Sequence, residues 1–160
     1  MKTIKAAILT ISDSCADGDR EDVSGRTIQQ MLEEAGFEVY EKRIAADDRD
    51  TVAAELRYFC DELAVDIVLT TGGTGLGPRD ITPEATQSVC DRAVPGLSEI
   101  IRAQGWKKTK RAVLSRGTAG SRGKTLIINL PGSPKGVKES LETVLELVPH
   151  AVDMMAGGGH

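Results

Sequence analysis

Ile67-Val68-Leu69-Thr70-Thr71-Gly72-Gly73-Thr74-Gly75-Leu76-Gly77-Pro78-Arg79-Asp80-Ile81-Thr82-Pro83 is the stretch on which the fold turns. It opens on a β-branched, apolar run that reads as a short strand buried on both faces. It closes on a helix start, with Thr82 as the capping residue and Pro83 at the first helical position, where a missing N–H is harmless. Between the two, Gly72, Gly73, Gly75 and Gly77 fall within six residues. Glycines between a strand and a helix let backbone N–H groups surround an anion, and the hydroxyls of Thr71 and Thr74 add donors. The helix N-terminus supplies partial positive charge, Arg79 is placed to supplement it, and phosphate is the expected guest.

The same alternation of strand and helix extends in both directions. Upstream, Ile4 to Ile11 is an apolar run of strand length, and its polar continuation Ser12-Asp13-Ser14 is expected to be a loop. From Ser24, the positions Ile28, Met31, Leu32 and Ala35 follow helical spacing, with Gly36 at the C-terminal cap. Phe37 to Ile44 alternates as a strand does, and Val52, Leu56, Phe59, Cys60 and Leu63 form another helical stripe. Downstream, Pro95 to Ala103 reads as a helix, and Ala112–Ser115 with Thr125–Asn129 as two strands of a hairpin joined by Arg116 to Lys124. The last helix starts with Ser133 as cap and Pro134 at its first position. Its core face is Val137, Leu141, Val144, Leu145 and Val148, and Pro149 is expected to kink or end it. The fold class that results is α/β: a three-layer α/β/α sandwich with a mainly parallel sheet and a small antiparallel hairpin in the C-terminal half. A single domain over 1–160 accounts for the chain, with no repeat or linker.

Composition narrows the function. Apolar residues make up 40% and charged residues 28%, a soluble balance, while 3% aromatics require an aliphatic core. The net charge is −4 with both signs interspersed, so no basic stripe exists to displace counterions from a nucleic acid. No run of apolar residues is long enough to span a membrane, and the N-terminal Met1-Lys2-Thr3-Ile4-Lys5 enters a strand directly, so a cytoplasmic protein without a signal peptide is expected. Cys15, Cys60 and Cys90 lack paired metal or redox spacing and read as structural thiols. His150 and His160 are the only histidines, which disfavours a Ser-His-Asp hydrolase or a histidine metal centre.

In sheets of this kind ligands lie beyond the carboxyl ends of the strands. That rule selects four loops: Ser12-Asp13-Ser14, Asp47-Asp48, Thr71 to Asp80, and Asn129-Leu130-Pro131-Gly132-Ser133. Asp80, with Asp47 or Asp48, puts carboxylates beside a phosphate pocket, a repulsive arrangement unless a cation lies between. Mg2+ suits it, since this ion takes one or two carboxylates together with phosphate oxygens and waters. Two other motif matches fail. Gly117 to Thr125 ends like a Walker A loop but spaces its glycines differently and precedes a strand. Gly73 and Gly75 are not followed by the third glycine of a dinucleotide fold, whose place Pro78 takes.

Thr71-Gly72-Gly73-Thr74-Gly75, Arg79-Asp80-Ile81-Thr82-Pro83-Glu84-Ala85-Thr86 and Asn129-Leu130-Pro131-Gly132-Ser133-Pro134-Lys135, in this order, resemble the MogA/MoaB molybdopterin-binding family. Ile11-Ser12-Asp13-Ser14, Asp22-x-Ser24-Gly25 and Leu114-Ser115-Arg116 extend the resemblance over essentially the whole chain. It implies an α/β/α fold, usually trimeric, and the reaction of molybdopterin with ATP and Mg2+ to give adenylylated molybdopterin and pyrophosphate. The same resemblance puts the two acidic positions, catalytic and metal-holding, on Asp47 and Asp80. The glycine loop (Thr71, Gly72, Gly73, Thr74 and Gly75) with Ser12 and Asp13 would bind phosphate or ribose. Ser115, Arg116, Asn129, Pro131, Gly132 and Ser133 would complete the pterin side. A molybdate-insertion protein is the implied recipient of the product. The chain looks like the shorter, MoaB type, for which a non-catalytic molybdopterin-binding module is the alternative to the enzyme, and a generic nucleotide hydrolase is the third reading.

Overall fold

The computed structural model describes residues 2–158, and Met1, Gly159 and His160 lie outside them. In chain order the elements are β1 Lys5–Ile11, α1 Asp13–Ala16, α2 Val23–Glu34, β2 Glu38–Ala45, α3 Arg49–Arg57, β3 Ile67–Thr71, α4 Thr82–Val89, β4 Arg92–Ala93, α5 Pro95–Trp106, β5 Ala119–Arg122, β6 Thr125–Leu130, α6 Pro134–Val144 and α7 Val148–Met155. The six strands form one sheet in the order β2-β1-β3-β6-β5-β4. The first four run parallel, and β6-β5-β4 is antiparallel.

Residue alternation along the central strands builds two cores, since successive side chains leave a strand on opposite faces. Ala6 and Ile8, Ile67 and Leu69, Leu126, Ile128 and Leu130 point to one face, where they meet Ile28 and Leu32 of α2, Val137, Leu141 and Val144 of α6, and Val148 and Val152 of α7. Ala7, Leu9, Ile11, Val68 and Ile127 point to the other, against Val52, Ala53 and Leu56 of α3, Phe59, and Ala85 and Val89 of α4. Strands buried on both sides have no polar face to show, which is why they read as continuous apolar runs.

Four sequence expectations are corrected. Ala112–Ser115 is not a strand. Lys110–Leu114 forms a 3-10 turn with Val113 and Leu114 exposed, and β6 takes Ala119–Arg122 as its hairpin partner around Gly123-Lys124. The register against β6 outweighs the low strand propensity of Ala-Gly-Ser-Arg. Ser12-Asp13-Ser14 enters the short helix α1, with the Ser12 hydroxyl accepting from the Cys15 amide. Thr82 is the first residue of α4 rather than its cap, which is Ile81, because its hydroxyl donates instead to the Gly72 carbonyl at 2.9 Å. Pro149 neither kinks nor ends α6. That helix stops at Val144, a 3-10 turn follows, and Pro149 lies in the first turn of α7, where it leaves no amide unpaired. Ser133 caps α6 as expected, accepting from the Gly136 amide at 3.0 Å.

Candidate functional site

Beyond the carboxyl ends of the four parallel strands, the topology opens a crevice. From β1 the chain leaves toward α2 on one face, whereas from the adjacent β3 it leaves toward α4 on the other. At such a switch point the departing loops diverge and leave room for a ligand. A cleft of about 380 Å³ lies there, lined by Thr10, Ile11, Ser12, Thr71, Gly72 and Gly73 from the β1 and β3 ends, Asp47 from the β2 end, Asp80 before α4, Gly132 and Ser133 before α6, and Cys15 and Arg20 to Ser24 around α1. A second cleft of about 470 Å³ lies on the other side of the Pro131–Ser133 turn. Thr74, Gly75, Leu76, Ile101, Gly105, Lys108, Arg111, Leu114, Ser115, Pro131 and Ser133 are among its lining residues. Ser133 borders both clefts.

The glycine loop is pinned by close backbone approaches. Gly72 has φ +97, and a Cβ added there would run into the Ile11 carbonyl at the end of β1. Its amide donates to the Leu130 carbonyl at 3.3 Å, and a Cβ added at Gly132 would come within 3.4 Å of the Gly72 Cα. Thr71, 1% exposed, donates its hydroxyl to the Pro131 carbonyl at 2.6 Å, and Ser24 donates to the Gly132 carbonyl at 2.8 Å. The β3 and β6 loops therefore form one surface, braced from α2.

Arg116 organises the far end of the loop. Its guanidinium donates to the Gly75 carbonyl (Nε, 2.7 Å), the Asp80 carbonyl (Nη2, 2.7 Å) and the Glu84 carboxylate (Nη1, 2.7 Å), and its own amide donates to the Thr74 carbonyl at 2.8 Å. The hydrogen bond from Arg116 holds the Glu84 carboxyl below its usual range. With its guanidinium engaged in this way, Arg116 shapes the backbone that carries Asp80 and lines neither cleft. Asn129 likewise lies under the site, 3% exposed. Its amide nitrogen donates to the hydroxyls of Thr70 (2.9 Å) and Thr86 (3.0 Å), and its oxygen accepts from the Thr118 amide at 3.1 Å.

The carboxylates are arranged in a definite order. Asp80 accepts from the Gly77 amide through Oδ2 at 2.9 Å, a turn that aims it at the loop. Asp47 accepts from the Asp13 amide at 2.9 Å, and Asp13 accepts from the Asp47 amide at 2.9 Å. Asp48, by contrast, caps α3, taking the Thr51 amide at 2.9 Å and the Thr51 hydroxyl at 2.7 Å. Burial pushes the Asp47 carboxyl above its usual range. The Asp13 amide opposes this shift, and the negative charges of Asp13 and Asp80 reinforce it. Asp13 itself is held low, first by the hydrogen bond from Arg79 and then by the Asp47 amide.

A half-buried carboxylate crowded by two others fits a divalent cation. Among the described residues no three His, Cys, Asp or Glu side chains group as a complete cage. A metal here would therefore take Asp47 and Asp80 as protein ligands and draw its remaining oxygens from ligand and water, the habit of Mg2+.

Ser12, Asp47, Thr71, Gly72, Gly73, Asp80, Gly132 and Ser133 thus share the first cleft, while Thr74, Gly75, Ser115, Pro131 and Ser133 share the second. Sequence reasoning passed over the task of Asp22, whose carboxylate takes the Gly25 amide (2.9 Å) and the Thr10 hydroxyl (2.7 Å) and so ties α2 to the rim of β1. Its spacing of three before Gly25 was the cap signal. It also passed over Lys108 and Arg111 in the second cleft, for which no local motif speaks.

Comparison with known proteins places the fold in a family. The family described as "Probable molybdopterin binding domain" matches residues 7–150. A molybdopterin adenylyltransferase from Helicobacter pylori is 46% identical over 159 residues, covering 98% of this chain and 90% of its own. Among solved structures, the molybdopterin biosynthesis enzyme MoaB from Thermus thermophilus superposes with a TM-score of 0.91 at 48% identity, covering 97% of this chain and 98% of its own. The molybdopterin biosynthesis Mog protein from Mycobacterium ulcerans does so with 0.89 at 41% identity, covering 96% and 99%. A family match over most of the sequence and relatives near half identity over nearly its full length show that the chain belongs to the molybdopterin-binding domain family.

Proposed function

We propose that this chain adenylylates molybdopterin in the biosynthesis of the molybdenum cofactor, joining AMP from ATP to the terminal phosphate of the pterin and releasing pyrophosphate. The observation that carries the reading is the pair of clefts on either side of one turn. One is edged by Asp47, Asp80, Gly72, Gly73 and Gly132, and the other by Leu76, Ile101 and Leu114 with Lys108 and Arg111. Such a pair suits a metal-bound triphosphate and a flat heterocycle with an anionic tail, meeting at Ser133. The adenylyltransferase names of relatives near half identity support the same reaction.

In that reaction a phosphate oxygen of the pterin forms a bond to the α-phosphorus of ATP, and the bond from that phosphorus to the bridging oxygen breaks as pyrophosphate leaves. The attacking oxygen is already anionic, so no side-chain nucleophile is required and the work is positioning and charge stabilisation. Mg2+, when bound, would supply positive charge to the departing pyrophosphate, with Asp47 and Asp80 holding it. The N-terminus of α6, capped by Ser133, presents a fixed dipole to the phosphates. Gly72 and Gly132 add no side chains to the first cleft, which both of them line. The proposal includes a single domain over residues 1–160, a homotrimer, a cytoplasmic location and hand-over to a molybdate-insertion protein. Among the described residues no helix is long and apolar enough to cross a membrane.

The test is direct: purified protein with ATP, Mg2+ and molybdopterin should release pyrophosphate and form an AMP–pterin adduct detectable by mass. Binding of molybdopterin with no adduct would instead assign the chain a non-catalytic binding role.

A further inference from the structure

We infer that Asp13 and Arg79 act together as a clasp that sets the position of Asp47, and that Asp13 is a positioning residue and not itself a ligand of metal or phosphate. The inference rests on the proposed metal–triphosphate reading of the first cleft.

Both oxygens of the Asp13 carboxylate are already used. Oδ2 accepts from Arg79 Nε at 2.6 Å, and Oδ1 accepts from Arg79 Nη2 at 3.1 Å and from the Asp47 amide at 2.9 Å. Arg79 Nη2 also donates to the Asp47 carbonyl at 3.1 Å, and the Asp13 amide donates to Asp47 Oδ2 at 2.9 Å. Asp47 is thus held at three points: its amide, its carbonyl and one carboxylate oxygen. Three loops meet in this knot, those following β1, β2 and β3, and residues 34 and 66 positions apart in sequence are joined. Arg79 immediately precedes Asp80, so the guanidinium that grips Asp47 also anchors the segment carrying the second acid. Asp13 lies outside the lining of the first cleft, whereas Asp47 and Asp80 belong to it.

The geometry separates two roles that sequence alone merges. Asp13 Oδ1 spends both lone pairs on Arg79 Nη2 and the Asp47 amide, Oδ2 is turned to Arg79 Nε, and the residue stays outside the cleft that Asp47 and Asp80 line. A planar guanidinium binds a carboxylate and a carbonyl at once through fixed donors, which an ammonium cannot reproduce. The pair is exposed, with side-chain accessibilities of 65% for Arg79 and 40% for Asp13, so it adds little to global stability and its effect is local.

The test uses the full chain with Asp13→Asn, Arg79→Met, the double variant and Arg79→Lys. Two readouts are taken: binding of Mg·ATP by calorimetry, and hydrogen exchange of the Asp13 and Asp47 amides by NMR in the ligand-free protein. A clasp acting as one unit predicts that each single variant weakens Mg·ATP binding by about tenfold and the double variant no further. Arg79→Lys should restore only part of the loss, and thermal midpoints should stay close to that of the parent. Exchange at both amides should accelerate in Arg79→Met, although Arg79 touches neither amide. Unchanged exchange at both positions overturns the clasp. So does loss of Mg·ATP binding in Asp13→Asn with full retention in Arg79→Met, which would make Asp13 a ligand. Failure of the unsubstituted protein to bind Mg·ATP would count against the proposed function, while the exchange measurement would still decide the clasp.

Discussion

Replacing Gly72 with alanine isolates what the glycine loop demands of its backbone. Gly72 sits at φ +97, outside the range an L-residue adopts comfortably, at a cost of about 1–2 kcal/mol. Its new Cβ would also meet the Ile11 carbonyl, a backbone atom at the end of the central strand β1 that has no flexible side chain to withdraw. Forcing such an overlap adds about 1–3 kcal/mol. Gly36 separates the two contributions, because it has φ +86 but nothing within 4 Å of an added Cβ. Gly36→Ala should therefore lose about 1 kcal/mol and Gly72→Ala about 3 kcal/mol, both read from urea unfolding with unchanged slopes. For a chain of 160 residues these losses correspond to falls in Tm of about 3 °C and about 9 °C. Equal losses in the two variants would refute the reasoning, since they would mean that the approach of β1 to the loop imposes no constraint.

Asp80→Asn should keep molybdopterin binding but lower turnover by orders of magnitude, because a charge that holds the metal acts mainly in the transition state. Turnover equal to that of the parent would remove Asp80 from the mechanism. Asn129→Leu leaves the Thr118 amide and the hydroxyls of Thr70 and Thr86 without their buried partner. A loss of about 2–4 kcal/mol in urea unfolding is expected, and one under about 1 kcal/mol would show that the threonines find other partners. The Asp47 carboxyl, held above its ordinary range first by burial, gives a pH signature in the metal-free protein. Because the folded state binds that proton more tightly than the unfolded chain, Asp47 favours folding increasingly as pH falls through its raised pKa toward the ordinary value of 3.8. Asp13, held low by Arg79, runs the other way, and its stabilisation is lost as pH falls below 3.8 toward its depressed pKa. Unfolding curves for Asp47→Asn from neutral pH down to about 4 should lack the first contribution, and curves parallel to the parent's would contradict the assignment.

Much of this molecule is legible before any coordinates. The strands β1, β3 and β6 are apolar runs because both faces are covered, and α2, α3 and α6 declare themselves through spacing, through Gly36 or through the cap at Ser133. The loops that make the site follow from the same order, since parallel strands put their carboxyl ends on one side. What escaped was decided by partners distant in sequence. Val113 and Leu114 look like strand residues yet lie exposed in a 3-10 turn, because β6 found its neighbour at Ala119–Arg122. Thr82 looks like a cap yet serves the Gly72 carbonyl.

The division between sequence and structure follows the range of the forces involved. Hydrophobic periodicity and local capping act within a few residues, so the chain alone specified strands, helices, the glycine loop and the presence of acids beside it. The tasks of those acids and of the arginines depend on contacts such as Asp13 with Arg79 and Arg116 with Gly75, 66 and 41 positions apart. Only the folded sheet, by bringing four loop ends to one rim, determined that Asp47 and Asp80 border the cleft while Asp13, Arg116 and Asn129 brace it from behind.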